Sequence, residues 1–170
     1  MRLSVRNLHA FISMVLMLLA ACSRPAARSE GGEAPKATAT DTQTMTKRPG
    51  GPLWNVEYVG KLLEAYKHTS FEVPAHGELD IGGWAVDQDA KAGAGGVEIR
   101  IDGVPYAAEY GKPRPDVASF FNQLAYANAG YVIRIKAEQF ASGAHTAYFR
   151  VLSNDRKSFW EVGPYTISFK

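Results

Sequence analysis

The residues able to do chemistry are few and widely spaced. Cys22 is the only cysteine of the 170-residue chain, which excludes an intrachain disulfide and a zinc site built on several thiolates. His9, His68, His76 and His145 are scattered, and no two stand at the i, i+4 spacing that lets one helix face hold a metal. Neither a G-x-S-x-G nucleophile turn nor a P-loop occurs, and no carboxylate pair marks a glycosidase. Asp87-Gln88-Asp89 precedes a glycine-rich loop, with Glu98 within reach, and offers oxygen donors of the calcium type. It lacks the further ligands and late glutamate of an EF-hand, so a polar turn is the plainer reading. The expectation is no enzyme, no cofactor and no metal.

Recognition chemistry is better represented. Arg114 and Asp116 bracket Pro115, with Tyr106 and Tyr110 just upstream, and these four are the candidate binding loop. Proline keeps the preceding residue out of helix, so Lys112 and Arg114 are both held extended. A structural alternative stands beside this one: Asp116 caps a short helix and Arg114 pairs with a carboxylate. Trp84 is either a stacking platform for a sugar or a tryptophan between two sheets. Tyr106, Tyr110, Tyr126 and Trp160 are further candidate platforms.

The elements that must position these residues begin after a leader. Arg2 and Arg6 precede an apolar stretch from Ala10 to Ala21 that only Ser13 interrupts. Residues 1–21 therefore read as a secretory signal peptide, since a membrane span needs ~20 apolar residues. Leu19-Ala20-Ala21-Cys22 resembles the bacterial lipobox. That resemblance implies cleavage before Cys22 and a diacylglycerol on its thiol, which also removes a reactive group from an oxidising compartment. Each buried CH₂ contributes ~0.8 kcal/mol, so several acyl chains anchor firmly. Ser23, in place of aspartate, implies the outer membrane in a Gram-negative cell, with the domain in the periplasm or at the cell surface.

The leader carries two of the 19 basic residues and none of the 17 acidic ones, so the rest of the chain is balanced in charge. This gives no support to a general electrostatic attraction to nucleic acid or to anionic lipid. Residues 22–52 then read as the lipidated cysteine and a disordered tether, the alternative being that part of the tether lies on the domain surface. They are rich in Ser, Thr, Ala, Gly and Pro, with Met45 the only large apolar side chain. Such a tether has a root-mean-square reach of ~30 Å.

Residues 53–170 form the expected domain. Strict alternation marks Val97-Glu98-Ile99-Arg100-Ile101-Asp102, and Tyr131, Ile133 and Ile135 share one face of another run. Ala147, Phe149 and Val151 do the same, as do Tyr165, Ile167 and Phe169, and Leu79, Ile81 and Ala85. These are half-buried antiparallel strands. Asp102-Gly103 marks a tight hairpin, Gly93 to Gly96 a loose turn, and Asn154-Asp155 the turn before the last strands. Residues 54–66 could be helical, but an extended first strand ending near Gly60 is preferred. The fold class is all-β: a sandwich of about seven strands with one short helix, in which Val117, Phe120 and Phe121 turn inward.

Several of these pieces are similar, in order, to a bacterial immunoglobulin-like β-sandwich module. Gly82-Gly83-Trp84-Ala85-Val86-Asp87 resembles its GWAVD strand. Gly96 to Gly103 resembles its GGV…IDG hairpin, and Tyr110 to Ala118 its YG…RPDVA segment. Gly130-Tyr131 and Ser142-Gly143-Ala144-His145-Thr146 follow, and Phe159 and Trp160 supply aromatics in the last strand. The resemblance covers about residues 54–170. It implies a non-catalytic accessory or binding module of the cell envelope and supplies no catalytic residues. A module alone on a lipid tether departs from modules appended to larger enzymes. The expected partners are membrane lipid through Cys22 and an envelope protein. A glycan, peptidoglycan or surface polysaccharide, is the alternative. The loops at Gly93–Gly96, Tyr110–Asp116 and Asn122–Asn128 are the candidate contacts.

Overall fold

The computed structural model describes residues 44–170. The expected signal peptide 1–21, Cys22 and residues 23–43 of the expected tether lie outside the described residues.

Alternating apolar residues form the strands where the pattern predicts them. The strands are β1 Thr46–Lys47, β2 Leu53–Val59, β3 Leu62–Leu63, β4 Ser70–Val73, β5 Glu78–Asp87 and β6 Ala92–Gly93. They continue with β7 Gly96–Ile101, β8 Val104–Ala107, β9 Glu109–Lys112, β10 Gly130–Lys136, β11 Gly143–Leu152 and β12 Ser158–Phe169. One helix, α1 Pro115–Phe120, lies between β9 and β10. Single 3-10 turns occur at Ala65–Lys67, Leu124–Tyr126 and Ala137–Gln139.

The strands make two six-stranded sheets. The first runs β1-β12-β11-β7-β8, with β4 also on β12, and the second runs β3-β2-β5-β10-β9, with β6 also on β5. All pairs are antiparallel except β1 and β4, which both run parallel to β12. Twelve strands therefore replace the expected seven or so. The additional ones are mostly two-residue edge segments, too short to carry an alternation.

The core lies between the sheets. Ile99, Ile101, Phe149, Val151 and Ile167 face it from the first sheet, and Ile81, Tyr131, Ile133 and Ile135 from the second. Trp54 bridges them, its ring centroid 5.0 Å from that of Phe149. Each fully buried large apolar side chain contributes about 1.5–3 kcal/mol. Asp102 and Gly103 sit at φ 48° and 84°, the doubly positive geometry of a two-residue hairpin turn.

Four expectations need correction. The ordered domain begins at Thr46 and not at Leu53: Thr46 N–H donates to Lys157 O at 3.2 Å and Arg48 N–H to Phe159 O at 2.7 Å. An edge strand can recruit polar chain through its backbone alone, which composition does not reveal. The glycine-rich turn contains β6, which hairpins back onto β5. Asp116 does not cap α1. Arg114 holds the cap position without a side-chain cap bond, and Asp116 lies in the first turn. Phe120 faces solvent, 83% exposed, while Val117 is buried. A helix of six residues has one inward stripe, and Val117 with Phe121 fills it.

Candidate interaction surface

The expected GWAVD strand is β5, and its glycines serve close approach. Tyr58 lies across the outer face of the second sheet, so that a Cβ on Gly82 would stand 2.3 Å from its ring. A Cβ on Gly83 would stand 2.0 Å from the carbonyl oxygen of Asn55 on β2. Trp84 points outward on the same strand and is half-buried against Phe121, ring centroids 5.6 Å apart. It is not the inter-sheet tryptophan, a place that Trp54 takes.

Arg114 holds α1 over that face. Its stem passes over Gly130, where a Cβ would stand 2.9 Å from Arg114 Cγ. Its head donates to Glu57 on β2, with Nη1 to Oε2 at 2.9 Å and Nη2 to Oε1 at 2.8 Å. It also donates to Asp116, with Nε to Oδ1 at 2.9 Å and Nη2 to Oδ2 at 2.6 Å. These forked bonds lower the Asp116 carboxyl to about 2 and raise the Arg114 guanidinium further, the Asp116 bonds first and Glu57 next. Arg114 and Asp116 are thus committed internally and position the helix.

The tyrosines are committed too. Tyr110 Oη donates to Ala85 O at 2.7 Å and accepts from Ala94 N–H at 2.8 Å. Burial pushes its hydroxyl up to about 12. Tyr106 is half-buried against Phe140, ring centroids 5.8 Å apart. Tyr126 and Trp160 are each only 5% exposed, and Arg48 covers the Trp160 ring at 4.3 Å. Tyr126 and Trp160 therefore present no open face, while Tyr106 and Tyr110 are half-buried.

The Gly93–Gly96 loop is closed from within. Buried Asp87 accepts the N–H groups of Ala90 at 3.0 Å and Asn154 at 2.8 Å. Arg156 Nε donates to Gly95 O and Asn154 Nδ2 to Gly93 O, at 2.8 and 2.9 Å. Among the described residues, no group of three or more His, Cys, Asp or Glu side chains is placed to hold a metal ion. A cleft of about 200 Å³ opens beside Gly95, Glu98, Ala107 and Tyr110.

The two most exposed large apolar side chains among the described residues are Leu124, 84% exposed, and Phe120, 83% exposed. They stand on a crown built from α1 and the Leu124–Tyr126 turn. Phe121 braces it, with ring centroids 4.9 Å from Phe120 and 5.9 Å from Tyr126. Val86, Val117, Ala118, Tyr126 and Ala129 form its buried base, and Leu53 and Trp84 pack alongside. Backbone bonds tie it: Phe121 N–H to Val117 O at 3.1 Å, Gln123 N–H to Ala118 O at 2.9 Å, Tyr126 N–H to Gln123 O at 3.0 Å. No charged residue occurs between Asp116 and Arg134. The crown falls partly within the expected Asn122–Asn128 contact loop, but the sequence pattern turns Phe120 inward. The adjacent pair Phe120-Phe121 carried the missed signal, because a short helix cannot bury both.

The fold and this surface together define a two-sheet β-sandwich that carries a rigid, uncharged apolar crown. No family model, curated protein or solved structure matches the chain. Among the described residues, no helix is long and apolar enough to cross a membrane.

Proposed function

We propose that this chain is an envelope lipoprotein, anchored through acylated Cys22, whose sandwich is a non-catalytic accessory module that docks on another envelope protein through Phe120 and Leu124. One observation carries the docking surface: two large apolar side chains stand almost wholly exposed on a braced crown. A soluble surface rarely leaves such groups standing together without use. The absence of charge from Asp116 to Arg134 matches an uncharged, apolar partner surface and binding that salt barely changes. The lipobox-like Leu19 to Cys22 supports the anchor, and the module resemblance supports an accessory role.

The test uses the full chain with a photoreactive residue at position 120, presented to envelope membranes. One membrane protein should crosslink from position 120, and none from a control at Val104, which is also exposed. Phe120→Ser with Leu124→Ser should weaken capture by about 30-fold or more, the effect of losing two anchor side chains. Retention on peptidoglycan or polysaccharide, undiminished by these changes, would replace this reading with the glycan one.

A further inference from the structure

The crown stands at the end of the sandwich where the chain enters it. β1 lies on the first residues of β12, with Thr46 opposite Ser158 and Lys47 opposite Phe159. Thr46 N–H reaches Lys157 O at 3.2 Å. In the turn before β12, Asn154 Nδ2 reaches Gly93 O at 2.9 Å. A Cβ on Gly93 would stand 4.0 Å from the carbonyl oxygen of Ala125, which belongs to the crown. A second path leads to the same place. Arg48 pairs with Asp89, two residues beyond the end of β5 at Asp87, and Val86 beside that end lies in the buried base of the crown.

The far end of the sandwich is marked by β3. Leu53, packed alongside the crown, pairs with Val86, and Val59, at the other end of β2, pairs with Ile81 and with Leu62 of β3. The two ends of β2 are ~20 Å apart at 3.3 Å per residue. Cys22 is therefore joined to the crown end. The 24 residues from Cys22 to Met45 reach at most ~80 Å when fully extended. As the flexible tether that their composition predicts, they have a root-mean-square reach of ~30 Å.

The crown is too small to bind tightly from solution. Burying two large apolar side chains supports a dissociation constant no tighter than about 0.04 mM, before the cost of association is subtracted. The stretch between Asp116 and Arg134 holds no charge, so the crown's own segment supplies no steering at a distance. A contact this weak persists only where both partners are already confined together. Anchoring in one membrane does this, since a linker of such reach sets an effective concentration in the ~mM range.

We propose that the crown's partner is an integral protein of the same membrane that holds Cys22, and that it offers an uncharged apolar surface within ~30 Å of the lipid. The inference rests on the docking reading above and adds where the partner sits. Phe120 and Leu124 then meet it on the side of the domain from which the tether leaves, and the β3 end points away.

The test follows crosslinking from a photoreactive residue at position 120 of the full chain in intact cells. One integral membrane protein should be captured, and a photoreactive residue at position 63, where Leu63 is 71% exposed at the far end, should not capture it. Removing residues 27–41 leaves nine residues from Cys22 to Met45, a reach of ~30 Å, and should leave the yield unchanged. A leader without a lipobox in place of residues 1–21, combined with Cys22→Ser, releases the rest of the chain from lipid. That release should lower the yield at least about 10-fold. A smaller loss on release, a loss on removing residues 27–41, or capture of a soluble protein would overturn the inference and leave the docking reading standing. Capture of a second copy of this chain, of lipid alone or of nothing would overturn both. These changes leave residues 44–170 intact apart from the photoreactive side chain, and the near-ultraviolet circular dichroism of the released chain separates lost contact from lost fold.

Discussion

His145 joins Asp102 across the base of the β7–β8 hairpin, Nδ1 to Oδ2 at 2.6 Å, while its Nε2 lies 2.8 Å from Ala141 O. Both ring nitrogens face acceptors, so the imidazolium satisfies both and the neutral ring satisfies one. Asp102 Oδ1 also accepts Thr146 N–H at 3.0 Å. One side chain thus fastens the hairpin turn, the start of β11 and the chain entering it. Phe140 and Phe169 pack against the ring at 5.5 and 5.4 Å.

This clasp should make stability depend on pH. The bonds to Ala141 and then to Asp102 raise the His145 value, and the His145 bond, followed by the Thr146 N–H, lowers that of Asp102. Tyr106, near Asp102, is itself raised by burial and so stays neutral here. Because the folded histidine value is raised, its contribution is complete below the unfolded value of about 6.5 and fades as pH rises through the folded one. Because the folded Asp102 value is depressed, its contribution is present above about 3.9 and is lost as pH falls through the folded one. His145→Gln should lower stability by about 0.5–1 kcal/mol near pH 5–6, where a partly exposed pair contributes fully. The difference should shrink by pH 9. Urea unfolding at the two pH values checks it, and a difference independent of pH would contradict the clasp.

Gly82 and Gly83 should tolerate alanine unequally. The obstacle at Gly82 is the Tyr58 ring, a side chain that can swing away. At Gly83 it is the backbone oxygen of Asn55, with Tyr131 Oη at 3.1 Å behind it. Gly82→Ala should cost about 1–2 kcal/mol, and Gly83→Ala about 3 kcal/mol or more, because β2 must separate from β5. Thermal unfolding midpoints rank the two, and equal costs would mean that the strands yield as easily as the ring.

Much of this architecture is readable in the residue order. Tyr131, Ile133 and Ile135 alternate because one face of β10 is core, and Asp102-Gly103 marks the β7–β8 hairpin because both positions need positive φ. The identity of the exposed surface is not readable in the same way. Phe120 and Phe121 are chemically alike, and only the path of a six-residue helix over Trp84 decides which is covered. Arg114 and Asp116 look like a recognition pair until Glu57, distant in sequence, arrives beside them. Residues Thr46 to Arg48 have the composition of a linker, and their pairing with β12 uses backbone groups that every sequence possesses.

Arg114 should be irreplaceable by lysine. Its fork serves Glu57 and Asp116 together, and an ammonium cannot bond both carboxylates in a plane. Arg114→Lys should destabilise the domain by about 1–2 kcal/mol, a charge-assisted pair partly shielded from solvent. It should also loosen the crown, read as faster amide exchange at Phe121 and Gln123 than at Ile133. Asp116 is depressed to about 2 by the Arg114 bonds. Its contribution is present above about 3.9 and fades as pH falls towards 2, discounted because the side chain is 63% exposed. Unchanged exchange in the crown would show that the helix rests on its apolar base alone.

Arg48 should hold the N-terminal strap in place more than β1 does. Two strand residues contribute little, whereas the Arg48 guanidinium covers the Trp160 ring at 4.3 Å and pairs with Asp89. A cation over an indole contributes about 0.5–2 kcal/mol depending on how dry the site is. Arg48→Ala should uncover Trp160, which is now 5% exposed. Its emission should shift to longer wavelength and become accessible to iodide, with the fold retained. Lys47→Ala removes only the ion pair to Glu161 at 2.7 Å, from a lysine 60% exposed, and should leave the emission unchanged. If both variants behave alike, the backbone pairing to β12 holds the strap and the cation contributes little. The predicted contrast would instead make the arginine the catch that fixes where the folded domain begins.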